Sequence, residues 1–270
     1  QRERLVQLMF EKFNVSGFYA TEQAVLSLYA AGRISGCTVD IGHGKIDIAP
    51  VIEGAVHHIA SRRFELGGAD LTKLLALELG KSNPLVNLSI QDVEKLKEQY
   101  ATCAEDELAY EKSQRSCSNE QHTLPDGQVL TIGKERYSVG EALFQPSVLG
   151  LEAHGIVEQL VRCISTVSSE NHRQLLESTV LCGATASITG LESRFQKESN
   201  MSSSAIHPSV VKVIFYDIVV FSYLLILHMN IITCIYLLHY GIFVGQIFFM
   251  STHILSSSFI LSPPPSLESL

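Results

Sequence analysis

The order of apolar and polar positions predicts short strands and amphipathic helices along the first 198 residues. Runs rich in β-branched and apolar residues flank Gly42, His43 and Gly44, which predicts two strands joined by a tight hairpin. Just upstream, residues 21–33 read TEQAVLSLYAAGR and consist mostly of helix formers, with Gly32 placed to end the helix. We therefore expect a helix that runs directly into the hairpin.

Later segments show the same two kinds of pattern. An apolar stripe predicts a helix that ends near Leu79, and a charged amphipathic helix is expected over residues 89–112. A second hairpin is predicted within residues 124–137, around a Pro-Asp-Gly turn. Residues 179–190, TVLCGATASITG, indicate a strand, a glycine loop and the start of a helix. The alternation of strands and helices indicates an α/β protein.

The pattern changes abruptly after Glu198. A Ser-rich spacer is expected over residues 199–212, and residues 213–250 then contain one charged residue, Asp217. This run exceeds the roughly 20 apolar residues that cross a bilayer, so residues 213–270 form either a tail with a transmembrane segment or a translated intron. We favour the intron, because the composition changes abruptly after Glu198 and a translated intron gives a Ser-, Ile-, Leu- and Phe-rich tail of this kind.

Composition narrows the class of protein. With 270 residues, 46% of them hydrophobic, the chain can bury one or two cores. The net charge of −8 disfavours a large basic surface, so we expect no direct nucleic-acid binding. The six cysteines form no CxxC pair and no zinc-ligand spacing, so they are expected to be reduced thiols. Residues 1–198 are therefore expected in the cytosol or the nucleus.

The first hairpin also carries candidate chemistry. Gly42 and Gly44 can adopt positive φ and present backbone N–H groups to a phosphate oxygen. Asp40 precedes the turn, and its carboxylate would repel that phosphate unless Mg²⁺ or a polarised water lies between them. The combination indicates metal-assisted binding of a nucleotide phosphate, although an Asp before Gly-x-Gly is also typical of an ordinary hairpin.

Three segments in order resemble the actin family. They are QAVLSLYAAGR followed by TVDIGHGKIDIAPVIEG, then LPDGQVLTIGKERYSVGEALFQPSVLG, then STVLCGATASITGLESRFQKE, within residues 1–198. Their departures from conventional actin resemble the seventh class of nuclear actin-related proteins in plants. The resemblance implies an actin-like ATPase fold of the ribonuclease H-like type, represented by its larger half with a helical insertion. It implies a nucleotide-binding subdomain at 1–66 and 151–198, with an inserted subdomain at 67–150.

The resemblance also implies which residues contact ATP and Mg²⁺. Lys97 and Glu98 match the pair that contacts the adenine and the ribose hydroxyls, and Gly68 matches a glycine beside the nucleotide. At the adenosine loop, Ala184 replaces a glycine and Ile188 replaces an aromatic residue that packs on the base. The positions implied to bind nucleotide are Gly42, His43, Gly44, Lys45, Gly68, Lys97, Glu98, Gly183, Ala184 and Thr185.

The implied catalytic residues are a mixture of matches and departures. Gln23 matches the glutamine that orients the attacking water, and Asp40 matches a carboxylate that acts through Mg²⁺-bound water. His43 stands where the family has a second aspartate, which should weaken the shell of water around the metal. Asp47 stands where the family has a histidine, and its negative charge should oppose attack at the γ-phosphate. A region with the first phosphate loop is expected upstream of Gln1, and we predict no appreciable ATP hydrolysis by this chain.

The resemblance implies a structural role for the full-length parent. It would bind ATP as a subunit of a nuclear chromatin-remodelling complex, together with other subunits that include actin or another actin-related protein. We expect it in the nucleus and also in the cytoplasm. Two alternatives remain open: an actin-type ATPase that polymerises, and an interaction module anchored to a membrane by the tail.

Overall fold

A computed structural model describes residues 2–14, 21–202 and 210–212. The predicted membrane tail and residues 203–209 of the predicted Ser-rich spacer lie outside these residues. Within the described part of the chain, no helix is long and apolar enough to cross a membrane.

The described elements form short runs of helices and short runs of strands. The helices are α1 (Arg2–Gln7, continued by a π-helical turn at Leu8–Lys12), α2 (Gln23–Ala30), α3 (Gly68–Ser82), α4 (Ile90–Tyr100), α5 (Glu107–Arg115), α6 (Glu135–Phe144), α7 (Ile156–Ile164), α8 (Ser169–Glu177) and α9 (Leu191–Ser202). The strands are β1 (Gly36–Ile41), β2 (Ile46–Ile52), β3 (Ala55–Val56), β4 (Arg62–Phe64), β5 (Glu120–Thr123), β6 (Val129–Ile132), β7 (Thr179–Cys182) and β8 (Val210–Lys212). Short 3₁₀ turns follow α6 and β7.

The larger sheet has the order β3-β2-β1-β7-β8, and β4 also pairs with β2. β1 and β2 form the predicted antiparallel hairpin, whereas β7 and β8 lie parallel to β1 and to each other. β5 and β6 form a separate two-stranded sheet around the predicted Pro-Asp-Gly turn, but β5 lies upstream of the predicted residues 124–137. This arrangement confirms the α/β class.

The two faces of the larger sheet are covered by different helices. On one face, α2 packs Val25, Leu26 and Leu28 against Val51 of β2 and Val180 of β7. On the other face, α7 packs on β2 and α8 packs on β1, within one large apolar cluster. Because successive strand residues point to opposite faces, Asp40 and Asp47 share the face that α2 covers.

One sequence prediction about helix extent is wrong. Residues 89–112 form α4 and α5, not one helix. The chain is extended between them because Thr102 bridges to Thr189 and the Cys103 N–H donates to the Thr189 carbonyl, while Asp106 caps α5. The cap of α4 is confirmed, since Ser89 accepts a hydrogen bond from the Asp92 N–H.

The ordered structure also continues beyond Glu198. Residues 199–202 complete α9, and Val210–Lys212 form β8 at the edge of the sheet, so both ends of the predicted Ser-rich spacer belong to regular elements. The sequence did not predict the end of α9 because serines favour loops and caps. It did not predict β8 because a strand of three residues has too few positions to show alternation. The division into two subdomains stays a prediction.

Candidate functional site

The hairpin between β1 and β2 packs against the start of α3. The Gly42 N–H donates to the Lys45 carbonyl and closes the turn. From α3, the Gly68 N–H donates to the Gly42 carbonyl at 3.0 Å, and the Ala69 N–H donates to the His43 carbonyl at 2.5 Å. The first N–H groups of a helix have no partner within that helix, so the turn carbonyls satisfy them here.

The turn glycines do not have the predicted conformation. Among the described residues, the glycines with positive φ do not include Gly42 or Gly44. Close backbone approach is the observed constraint: a Cβ on Gly67 would lie 2.6 Å from both the N and C atoms of Gly44. These glycines therefore let a hairpin and a helix N-terminus come together.

A second loop meets the same hairpin from β7. Gly183 has φ 92° and ψ 153°, a combination that is essentially restricted to glycine, and a Cβ there would collide with the Asp40 Oδ1 atom and the Ile41 carbonyl. Ala184 is exposed, whereas Thr185 is buried and its hydroxyl donates to the Gly42 carbonyl at 3.0 Å. The structure thus brings residues 183–185 beside the β1–β2 turn.

Lys97 lies on the other side of this junction. Its Nζ donates to the Gly68 carbonyl at 2.9 Å and to the Thr72 hydroxyl at 2.7 Å, and burial lowers its pKa despite the nearby negative charges of Glu94 and Glu98. Glu98 is exposed. Lys97 therefore joins α4 to the start of α3, and the predicted contacts of Lys97 and Glu98 with a nucleoside stay predictions.

Asp40 is the buried carboxyl group at the end of β1. Its pKa is raised to about 6, mainly by burial and also by the charge of Asp47, while the charge of Lys45 acts in the opposite direction. Asp40 lies opposite Asp47 in the hairpin and opposite Cys182 in the parallel pair with β7. A carboxylate held in this way favours a neighbouring cation or a hydrogen-bonded water.

We expect Asp40→Asn to stabilise the folded chain by about 1–3 kcal/mol at neutral pH. Because the folded-state pKa is raised, the folded protein binds the extra proton, so the contribution of Asp40 to stability falls as pH rises from its ordinary pKa to about 6 and stays low above that. Urea unfolding across this range should show the fall in the parent and not in the variant. Glu192→Gln, an exposed carboxylate exchange, should leave the slope unchanged.

The predicted repulsion from Asp47 needs a correction. Asp47 accepts two hydrogen bonds from Arg63, at 2.6 Å from Nε and 3.3 Å from Nη2, and its Oδ2 lies 3.0 Å from the Lys45 Nζ. Hydrogen bonds from Arg63 and Lys45 outweigh burial and lower its pKa. Its charge is therefore balanced by two cations, and opposition to attack at a phosphate no longer follows from its presence.

Gln23 and His43 occupy separate parts of the site. Gln23 is the first residue of α2, which packs against β1, β2 and β7, so this helix covers the Asp40 face. His43 is half exposed at the tip of the hairpin, with Nδ1 3.4 Å from the Glu94 carboxylate. A histidine carries no carboxylate, so His43 gives no second anionic ligand there.

The side chains around Asp40 could contribute to a magnesium site only in part. Among the described residues, no group of three His, Cys, Asp or Glu side chains could hold a metal ion. Mg²⁺ commonly keeps several waters and binds through one or two carboxylates plus substrate phosphates. Asp40 fits a water-mediated role of this kind, with the remaining ligands supplied by phosphate and water.

Sequence reasoning missed two residues of this site, Arg63 and Gly67. Arg63 lies in β4, which pairs Asp47 directly with Arg63 across the strands, and nothing in the local sequence indicates that pairing. Gly67 precedes the better matched Gly68, and the double glycine itself is the signal that could have found it, because it marks a close approach of two backbones.

Comparison with known proteins finds that the chain is similar to actin-related and actin-like proteins. The family model described as Actin matches residues 1–91 and 90–218, which extends past the Glu198 limit expected from the sequence. Actin-related protein 7 from Arabidopsis thaliana is 81% identical over 211 residues, covering 78% of this chain and 58% of the relative. Actin-related protein 7 from Oryza sativa subsp. indica is 72% identical over the same length, covering 78% and 59%.

More distant relatives show the same partial coverage. Actin-like protein 9 from Bos taurus is 36% identical over 199 residues, which is 73% of this chain and 48% of the relative. The chain thus spans about three-fifths or less of the length of these relatives, with 58% for the Arabidopsis protein. Properties of a whole relative therefore reach this chain only by proposal.

Proposed function

Because the chain belongs to the actin family, we propose that its full-length parent is an ATP-binding structural subunit of a nuclear chromatin-remodelling complex. The observation that carries nucleotide binding is the meeting of the Asp40 strand end, the β1–β2 turn, the start of α3 and the Gly183 loop at one junction. The glycines of the turn, of the start of α3 and of the Gly183 loop leave backbone without side chains at this junction, and such backbone lets a ligand approach closely. Partners would be other subunits of the complex, among them actin or another actin-related protein.

Different residues of the proposed site would contact different parts of the nucleotide. The turn at Gly42–Gly44 and Lys45 would face the phosphates, while Lys97, Glu98 and residues 183–185 would face the nucleoside. Asp40 would hold an ordered water near the phosphates, and bound Mg²⁺ would neutralise phosphate charge and polarise that water. Gln23, on the helix that covers Asp40, would orient a water towards the same region.

We expect ATP binding without effective hydrolysis. The absence of a second carboxylate at His43 leaves Asp40 alone to organise a metal-water shell, which supports binding better than it supports activation of water. Titration of the purified chain with a fluorescent ATP analogue should saturate, whereas phosphate release with Mg²⁺ should not exceed that of the Gln23→Ala variant. Release that is clearly Mg²⁺-dependent and lost in Gln23→Ala would favour the alternative, an actin-type ATPase.

Membership of a complex is tested separately. A tagged full-length parent captured from nuclei should bring down remodelling subunits together with actin or an actin-related protein. Recovery of the parent from nuclei as a free monomer would contradict the proposed structural role.

A further inference from the structure

A cluster of alternating charges lies beside Asp40 on the α2 face of the sheet. It consists of Lys45, Asp47 and Arg63, which belong to the turn, β2 and β4 respectively. Asp47 is 27% exposed and Lys45 only 20% exposed, so both charges are partly removed from water. Interactions of such charges are stronger than those of a fully solvated ion pair.

The strand register places Asp40 on the same face of the sheet as this cluster. Asp40 and Asp47 are directly opposite each other in the β1–β2 hairpin, so their side chains share one face. Lys45 precedes Asp47 by two positions and contacts its carboxylate on that same face. The charges of Asp47 and Lys45 both act on Asp40, one raising and the other lowering its pKa.

The cluster contains two positive charges and only one negative charge. Arg63 already engages both carboxylate oxygens of Asp47 in a two-pronged pair. Lys45 therefore adds a second positive charge to a carboxylate that is satisfied without it. That surplus charge lies at the end of the turn beside the region where the phosphates are proposed to bind.

We propose that Lys45 supplies the positive charge that neutralises the phosphate chain of a bound nucleotide, so that nucleotide binding by this protein persists without a divalent cation. This inference rests on the nucleotide binding proposed above and specifies its cofactor requirement. A lysine ammonium is a compact cation on a flexible stem and binds phosphate as a point charge. Arg63 keeps Asp47 neutralised when Lys45 turns towards the phosphates.

The side chains near Asp40 that could bind a metal are few, which is consistent with a lysine supplying the positive charge. The described residues hold no group of three metal-ligating side chains, so a divalent cation here would depend on the phosphates and on water for most of its ligands. A tethered cation is present at the site before the nucleotide arrives and is not removed by a chelator. Chelation is therefore the condition that separates the two sources of positive charge.

The test is a titration of the full chain with a fluorescent ATP analogue, in Mg²⁺ and in EDTA. The parent should bind in both, with affinity in EDTA weaker by less than about threefold, while Lys45→Met in EDTA should lose about tenfold or more. Lys45→Arg should keep the affinity of the parent. Lys81→Met is the matched control, because Lys81 carries the same charge about 20 Å along α3 from Gly68.

The outcomes separate this inference from the proposed function. Binding by the parent that requires Mg²⁺, with Lys45→Met unchanged relative to Lys81→Met, would overturn the role of Lys45 and leave ATP binding intact. Absence of binding in either condition would overturn ATP binding itself and the inference with it. Circular dichroism of each variant checks that the fold is kept, which the Arg63–Asp47 pair should ensure for Lys45→Met.

Discussion

Arg194→Met is expected to lower the free energy of unfolding by about 3–5 kcal/mol. The Arg194 side chain is 1% exposed and that of its partner Glu141 is 0% exposed, and two hydrogen bonds of 2.9 and 3.0 Å join them. Arg194 also donates to the Ala104 carbonyl and to the Glu198 carboxylate, and its guanidinium lies over the Phe144 ring. Removal of the cation would leave Glu141 charged in the core without a partner.

The expected loss follows from what remains in the variant. Burial is the largest cause that raises the pKa of Glu141, the charges of Glu198 and Glu107 also raise it, and Arg194 acts against this rise. Without Arg194, Glu141 must either take up a proton or stay charged in an apolar environment, and both cost free energy. Urea unfolding monitored by circular dichroism measures the difference.

Arg173→Met is the matched control. Arg173 also pairs with a glutamate four residues along its helix, at 2.8 Å from Glu177, but its side chain is 77% exposed. Because solvent screens an exposed ion pair, its loss should leave the stability close to that of the parent. Equal losses in the two variants would show that the Arg194–Glu141 pair is open to water and would contradict the buried network.

The second large effect is expected from Gly183→Ala. At φ 92° and ψ 153° an alanine is strained, and its Cβ would displace Asp40 or the Ile41 carbonyl. We expect a loss of about 2–4 kcal/mol in stability and a loss of ATP-analogue binding of at least about tenfold, because Asp40 and the Gly183 loop both belong to the proposed site. Thermal unfolding and fluorescence titration measure the two effects.

Gly150→Ala separates backbone strain from displacement of the site. Gly150 also has positive φ, at 73°, but a Cβ there would have nothing within 4 Å. This variant should lose about 1 kcal/mol and keep its affinity for the ATP analogue. Affinity that falls equally in both variants, or in neither, would argue against a nucleotide-binding role for the Gly183 loop.

Several features were predictable because their causes are local. The hairpin at Gly42–Gly44, the helix that ends at Gly32, and the loop at Gly183 all depend on residues within a few positions of each other. Gly32 has φ 70°, as expected for a residue that ends a helix. The family resemblance itself also depends on continuous segments, and the family match confirms it.

Other features were not predictable because their causes are distant in sequence. The break between α4 and α5 depends on contacts of Thr102 and Cys103 with Thr189, which lies 86 residues beyond Cys103. The continuation to β8 depends on pairing with β7, which offers a strand edge to only three residues. Neither cause leaves a mark in the local pattern.

The sequence by itself determined the α/β class and the order of the motifs, because periodicity and turn chemistry act over short distances. The candidate phosphate-binding residues came from the resemblance of continuous segments to the actin family. The tertiary structure alone decided the electrostatic environment of those residues, that is, their ion-pair partners and their pKa shifts. It placed Arg63 across from Asp47, so that a predicted repulsive anion became a paired one, and it buried Asp40 enough to raise its pKa to about 6. Burial and cross-strand pairing set these electrostatic properties, and both arise only when strands from distant parts of the chain meet.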